Sequence, residues 1–214
     1  MRAEIAEPAL ERDIEQGARG MNVRLEPAML RKLTAFVVLL EKWNRVFNLT
    51  SIRETNIIVS RHLLDSLAVA KYLPSNPGID IGTGAGFPGI PIAIVEPART
   101  ITLLDSSQKR TAFLRQVSGE LNLHNVDVVC DRAELWRPAK VYGWAISRAF
   151  GSLADFVAAA WHLVTPGGVL LAMKGHYPQD EIAQLPGHCH LREVVPLTVP
   201  GLGAARHLVV LERT

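Results

Sequence analysis

The run Asp80-Ile-Gly-Thr-Gly-Ala-Gly-Phe-Pro-Gly places glycines at 82, 84 and 86 directly after a short apolar stretch, residues 79–82, and before a stretch that reads as helix, residues 88–95. Glycines at such a turn permit positive φ and let a ligand lie against the backbone, and the helix that follows offers free N–H groups. Asp105 ends a second apolar stretch, residues 100–104, 23 positions after Gly82. A carboxylate so placed accepts hydrogen bonds from ribose hydroxyls in doubly wound folds. Gly82, Gly84 and Asp105 together predict a site for an adenosine-containing ligand.

Three further turns follow apolar stretches: Cys130-Asp-Arg-Ala-Glu134, Ser147-Arg-Ala-Phe150 and Met173-Lys-Gly175. Strand C-termini of an open α/β sheet line its ligand crevice, so all three are expected there. His62 and Asp65, three apart on an expected helix, share a face. We read them as a structural polar link rather than an acid/base pair. Cys130 and Cys189 form no CxxC pair, and His188 and His190 beside Cys189 lack a further ligand at a sensible spacing. Neither a disulfide framework nor a metal site is expected.

The elements that must position these residues follow from periodicity. Leu30, Leu33, Phe36, Val37, Leu40, Trp43 and Phe47 recur at threes and fours, an amphipathic helix with Pro27 near its start. Trp43 and Phe47 are read as core. A second helix is expected over 54–72, ended by the two-proline run 73–78. Residues 1–24 show no sustained apolar period and read as a loosely packed arm. The expected organisation is thus an arm (1–24), a helical module (25–75) and a ligand-binding domain (76–214). In that domain apolar stretches at 79–82, 100–104, 126–130, 144–147, 169–173, 192–197 and 207–212 predict seven strands. Helical stretches at 88–95, 108–121 and 153–163 make the first five parallel and doubly wound. The Pro- and Gly-containing link 198–206 suits a hairpin, hence an antiparallel edge strand on an otherwise parallel α/β sheet.

With 214 residues, 48% of them hydrophobic and 21% charged, the chain is neither disordered nor fibrous. The formal charge of +2 excludes a histone-like polycation, so any nucleic-acid binding must come from a local patch. No apolar run approaches a membrane span, and the charged first residues lack a signal-peptide core. Two cysteines and no leader fit a cytoplasmic protein.

Asp80 two positions before the odd-spaced Gly82, Gly84 and Gly86, with Pro88 opening the helix, resembles the first motif of class I S-adenosyl-L-methionine methyltransferases. A sulfonium cofactor has no phosphate to neutralise, and a carboxylate suits its amino-acid end. More specifically, Asn48-Leu-Thr50, Arg61-His-Leu-Leu-Asp-Ser66, Gly82-Thr-Gly-Ala-Gly-Phe-Pro-Gly-Ile-Pro91, Leu104-Asp-Ser, Lys109-Arg110, Phe113-Leu-Arg-Gln116, Ser147-Arg-Ala-Phe150, Lys174-Gly175 and Arg206-His-Leu-Val-Val210 resemble the small-subunit ribosomal RNA methyltransferase G family, also called glucose-inhibited division protein B. The likeness spans about residues 40–212. It implies a Rossmann-like fold and methyl transfer from S-adenosyl-L-methionine to guanine N7 in the 530 loop of bacterial 16S rRNA, free or in the small subunit. It implies cofactor contacts at Gly82, Phe87, Ala133, Glu134 and Arg148; Asp80, Gly84 and Asp105 join them on the physical argument.

The residues agree with that chemistry. Exocyclic amines call for an Asn/Asp-Pro-Pro-aromatic turn, whereas this chain has Ser147-Arg-Ala-Phe150; carbon-5 methylation calls for a cysteine nucleophile, which neither Cys130 nor Cys189 is placed to supply. Guanine N7 already presents a lone pair and needs no base. Arg148 is expected to orient the base and Phe150 to stack on it. Lys109, Arg110, Arg115, Arg132, Lys174 and Arg206 are the candidate RNA-docking cations, Arg110 and Arg115 reading equally as a solvated helix face. The enzyme is expected to be a monomer. Two other readings stay open: a non-catalytic RNA- or cofactor-binding module, and a nicotinamide-dependent oxidoreductase.

Overall fold

The computed structural model describes residues 7–148 and 150–213. The first six residues of the expected arm, Ala149 of the 147–150 turn, and Thr214 lie outside them. Two helices open the described chain, α1 (Glu7–Gly20) and α2 (Pro27–Phe47). The arm is therefore a helix over most of its length. Leu10, Ile14, Gly17 and Ala18 are buried at helical spacing, but half of that stripe is small residues, which hid the period. A Cβ on Gly17 would lie 2.3 Å from Leu64 Cδ1, so the glycine is what lets α1 approach this closely.

The stretch expected as one helix over 54–72 changes its winding instead. It runs through α3 (Thr55–Ile58), a π-helical segment (Val59–Leu64), α4 (Asp65–Leu67) and a 3-10 turn (Ala70–Tyr72). π turns are rare and recur at functional sites; this one carries His62 and ends at Asp65.

Seven strands follow: β1 (Gly78–Ile81), β2 (Ile101–Asp105), β3 (Val126–Cys130), β4 (Tyr142–Ser147), β5 (Val164–Lys174), β6 (Cys189–Leu197) and β7 (Arg206–Arg213). They form one sheet in the order β3-β2-β1-β4-β5-β7-β6. β1 to β5 pair in parallel, and β7 runs antiparallel to both β5 and β6. The expected hairpin thus occupies one edge, with β7 inserted beside β5 and β6 outermost. β6 begins at Cys189, three residues before the stretch 192–197 expected as strand. Crossovers use α5 (Gly89–Val95), α6 (Gln108–Glu120) and α7 (Leu153–Ala160); a short α8 (Gln179–Ala183) follows β5.

Every residue of β1 and β2 is buried, as a doubly covered parallel sheet requires. One apolar layer joins α1, α2, α5 and α6 to the sheet, and a second lies under α7. Phe36 of α2 packs against Phe87 of the glycine turn at 5.1 Å and Phe113 of α6 at 6.4 Å, so α2 braces the ligand loop directly. Trp43 packs on Phe113, while Phe47, expected in the core, keeps 40% of its surface exposed.

Candidate active site

Gly82, Gly84 and Gly86 all take positive φ (66°, 62° and 94°), which turns the chain sharply out of β1. The Gly84 N–H donates to Asp105 Oδ2 at 2.9 Å, tying the loop to the end of β2. Asp80, expected to meet the ligand, is drawn inside the loop and fully buried. Its Oδ2 accepts from Thr83 Oγ1 at 2.6 Å and from Gly89 N–H at 2.8 Å, joining the turn to the start of α5; its Oδ1 has no partner.

Burial pushes the Asp80 carboxyl up to about 6, against the opposing pull of the Thr83 and Gly89 hydrogen bonds. With its folded value raised above its unfolded one, the group stabilises the ligand-free fold at low pH and loses that contribution as pH rises toward 6. Between pH 5 and pH 7 the wild type is expected to lose about 1 kcal/mol relative to Asp80→Asn. Denaturant midpoints of the two proteins at those pH values test this; parallel changes would remove Asp80 as the cause.

A cleft of about 290 Å³ opens at the C-terminal ends of β1 to β4. Gly82 forms one wall, Asp105, Ser106 and Arg110 a second, Arg132, Ala133 and Glu134 a third, and Phe150 closes it. A Cβ on Gly82 would touch nothing within 4 Å, so this backbone borders open space. Of the cofactor candidates expected from sequence, Gly82, Asp105, Ala133 and Glu134 line this one cleft. Phe150, expected to stack on the base, lines the same cleft and packs on Phe156 at 5.6 Å.

Asp105 already accepts from Gly84 N–H and Ser107 N–H and pairs with Arg110 Nη1 at 3.3 Å. A carboxylate has about four acceptor sites. The Arg110 contact is the long one and its side chain is 44% exposed, so it is the bond a ribose hydroxyl would replace. Ligand fit is thus met by an open glycine wall, a ring of carboxylates and one exchangeable acceptor.

Phe87 and Arg148 lie on the other side of the glycine loop. The Arg148 guanidinium sits 5.2 Å from the Phe87 ring centroid. Its Nη1 donates to His62 Nδ1 at 2.8 Å and to the Arg61 carbonyl at 3.2 Å, and lies 3.8 Å from Asp65 Oδ2. Because a guanidinium only donates, Nδ1 is the acceptor and the ring proton sits on Nε2, facing Thr50 Oγ1 at 3.3 Å. Burial, helped by Arg148, holds His62 down at about 3, so the imidazole is neutral. Sequence spacing placed His62 and Asp65 on one face; nothing in it showed that both reach Arg148.

The six RNA candidates separate in space. Lys109, Arg115 and Arg132 are exposed. Lys174 donates to Glu181 and the Gly151 carbonyl, both at 2.8 Å, and Glu181 in turn caps Leu153 N–H, so this lysine holds the turn after β4. Arg206 is bound to Asp65 at 3.0 Å, and Arg110 to Asp105. A larger cavity of about 420 Å³, between the α1–α2 turn, Lys71 and the β6–β7 link, holds no glycine-loop residue. Among the described residues no group of three or more His, Cys, Asp or Glu could hold a metal ion, and no helix is long and apolar enough to cross a membrane.

Sheet order and cleft define a Rossmann-like class I methyltransferase, whose cofactor is S-adenosyl-L-methionine. TrmN from Thermus thermophilus shares the fold, with a TM-score of 0.57 at 20% identity, over 80% of this chain and 53% of that one. The profile of the family described as rRNA small subunit methyltransferase G matches residues 29–209. The ribosomal RNA small subunit methyltransferase G of Aromatoleum aromaticum is 49% identical over 205 residues, covering 94% of this chain and 97% of that protein. The enzyme of the same name from Nitrosococcus oceani is 46% identical over 198 residues, 92% of each chain. This chain belongs to the rRNA small subunit methyltransferase G family.

Proposed function

We propose that this protein methylates guanine at N7 in the 530 loop of 16S rRNA by direct displacement, acting as a monomer in the cytoplasm. The observation that carries this reading is the turn after β4. Its functional side chain is Arg148, a permanent cation, and the neighbouring imidazole is neutral with its Nδ1 lone pair already engaged. Among the described residues of this turn no general base is left to serve an amine acceptor, and N7 needs none. Cys189 is buried in β6 and Cys130 ends β3, so neither stands beside Arg148 as a nucleophile.

S-adenosyl-L-methionine held in the glycine-loop cleft would supply an electrophilic methyl to the N7 lone pair, its sulfur leaving as a thioether and no proton being moved. The chain's part is to hold the nucleoside through Gly82, Asp105, Ala133 and Glu134, and to orient the guanine through Arg148, whose N–H groups suit O6. Lys109, Arg115 and Arg132 neutralise phosphates. Three such contacts on a single-stranded loop predict an affinity loss of about 20-fold between 50 and 200 mM salt.

The deciding experiment incubates the protein and labelled S-adenosyl-L-methionine with 16S rRNA from a strain lacking the modification, then maps the labelled base. Label at guanine N7 in the 530 loop is expected; label on an amine, on DNA or on protein would overturn the reading.

A further inference from the structure

Arg148 and Arg206 come from chain segments 58 residues apart, one after β4 and one opening β7, yet both reach Asp65. Arg206 Nε donates to Asp65 Oδ1 at 3.0 Å, and Arg148 Nη1 lies 3.8 Å from Oδ2. The Asp65 side chain is 1% exposed, and the two arginine side chains 22% and 21%. Two guanidiniums this close repel each other, and each leaves a strongly hydrated state to lie here. A buried carboxylate between them offsets both costs. Burial nevertheless raises Asp65 above the ordinary carboxylate range, with Arg206 and then Arg148 pulling it down.

His62 completes the clamp. Its Nδ1 and the Arg61 carbonyl receive Arg148 Nη1, and its ring packs on Phe87 at 5.0 Å, the same ring that Arg148 covers. Arg148 is thereby held in rotation by His62, in charge by Asp65 and in height by Phe87. Its Nε and Nη2 make no hydrogen bond to any described residue and are not among the enclosed unpartnered atoms, so they remain available.

We propose that Asp65 is a positioning residue for methyl transfer, holding Arg148 and Arg206 as a fixed pair so that the free donors of Arg148 orient the acceptor base. This rests on the methyltransferase reading given above. The π-helical segment has a role in it: it carries His62 and leads directly into α4, whose first residue is Asp65, so that both face one guanidinium. Asp65 touches neither base nor cofactor, and its effect is transmitted through Arg148.

The test compares Asp65→Asn, Asp65→Glu and Arg148→Lys, singly and with Asp65→Asn and Arg148→Lys combined, in single-turnover methylation of 16S rRNA lacking the modification. Asp65→Asn is expected to lower the chemical rate at least 100-fold while KM for RNA and Kd for S-adenosylhomocysteine change less than threefold. Asp65→Glu, which keeps the charge, should recover the rate to within tenfold of wild type. In the Arg148→Lys background, Asp65→Asn should cost less than threefold more, because the route through Arg148 is already broken. Nitrogen-15 spectra give a readout apart from activity: the protected Nε–H signal of Arg206, assigned by its loss in Arg206→Lys, should exchange with water in Asp65→Asn. Asp65→Asn with wild-type rate per folded molecule, or fully additive losses in the double variant, overturns the proposal. Wild-type protein that leaves the rRNA unlabelled overturns the function itself instead.

Discussion

Arg148→Ala is expected to lower kcat for 16S rRNA methylation by at least about 100-fold while the protein stays folded. The size follows from what the side chain does: a displacement reaction without acid/base help depends on alignment, and loss of an orienting contact costs about two orders of magnitude. The fold should survive because Asp65 keeps its 3.0 Å bond to Arg206, so no buried charge is left alone. Losing the bonds to His62 and Arg61 costs about 1–2 kcal/mol, or a fall in Tm of about 5 °C. Binding of S-adenosylhomocysteine should change less than tenfold, since the cleft lined by Gly82, Asp105 and Glu134 does not include Arg148. Calorimetry with that ligand, a melting curve and a single-turnover assay settle the matter; wild-type turnover by Arg148→Ala would remove this arginine from the reaction.

Asp105→Ala should act on the cofactor instead. Its carboxylate holds Gly84 and Ser107 N–H groups at 2.9 Å each, so truncation both removes the ribose acceptor and loosens the glycine turn. A ribose hydrogen bond to a charged acceptor amounts to about 1.5–3 kcal/mol, so Kd for S-adenosylhomocysteine should rise about 10- to 100-fold. Arg110→Ala is the contrasting case. Arg110 contacts the carboxylate at 3.3 Å from a half-exposed position, so removing it frees an acceptor and should leave Kd unchanged or slightly tighter. Equal weakening by both changes would show that Arg110 supports the ligand together with Asp105 rather than competing with it.

Much of the site was legible because its signals are local. Glycines that need positive φ, an aspartate ending β2 and the turn after β3 depend on neighbours within a few residues, and Gly82, Asp105, Ala133 and Glu134 do converge. For Asp80 the sequence shows only that an acid precedes the loop; the Thr83 hydroxyl and the Gly89 N–H, both donating to it, turn it inward. The partners of the cations were not legible in the sequence. Free and paired arginines have the same letter, and whether Lys174 meets RNA or Glu181 depends on a helix, α8, whose five residues carry no clear period.

The sequence by itself determined the alternation of strands and helices, the reversed hairpin at the sheet edge and the meeting of the glycine turn, Asp105 and the turn after β3 at one cleft, since each follows from periodicity, chain direction and short-range stereochemistry. Only the tertiary structure decided that α1 is a packed helix, that the 55–67 stretch winds through a π turn, and that Asp65 gathers Arg148 and Arg206 against His62 and Phe87. The physical reason is range. Asp65 meets an arginine 141 positions away because β7 is inserted beside β5, and a buried charge finds its partner through the fold rather than along the chain.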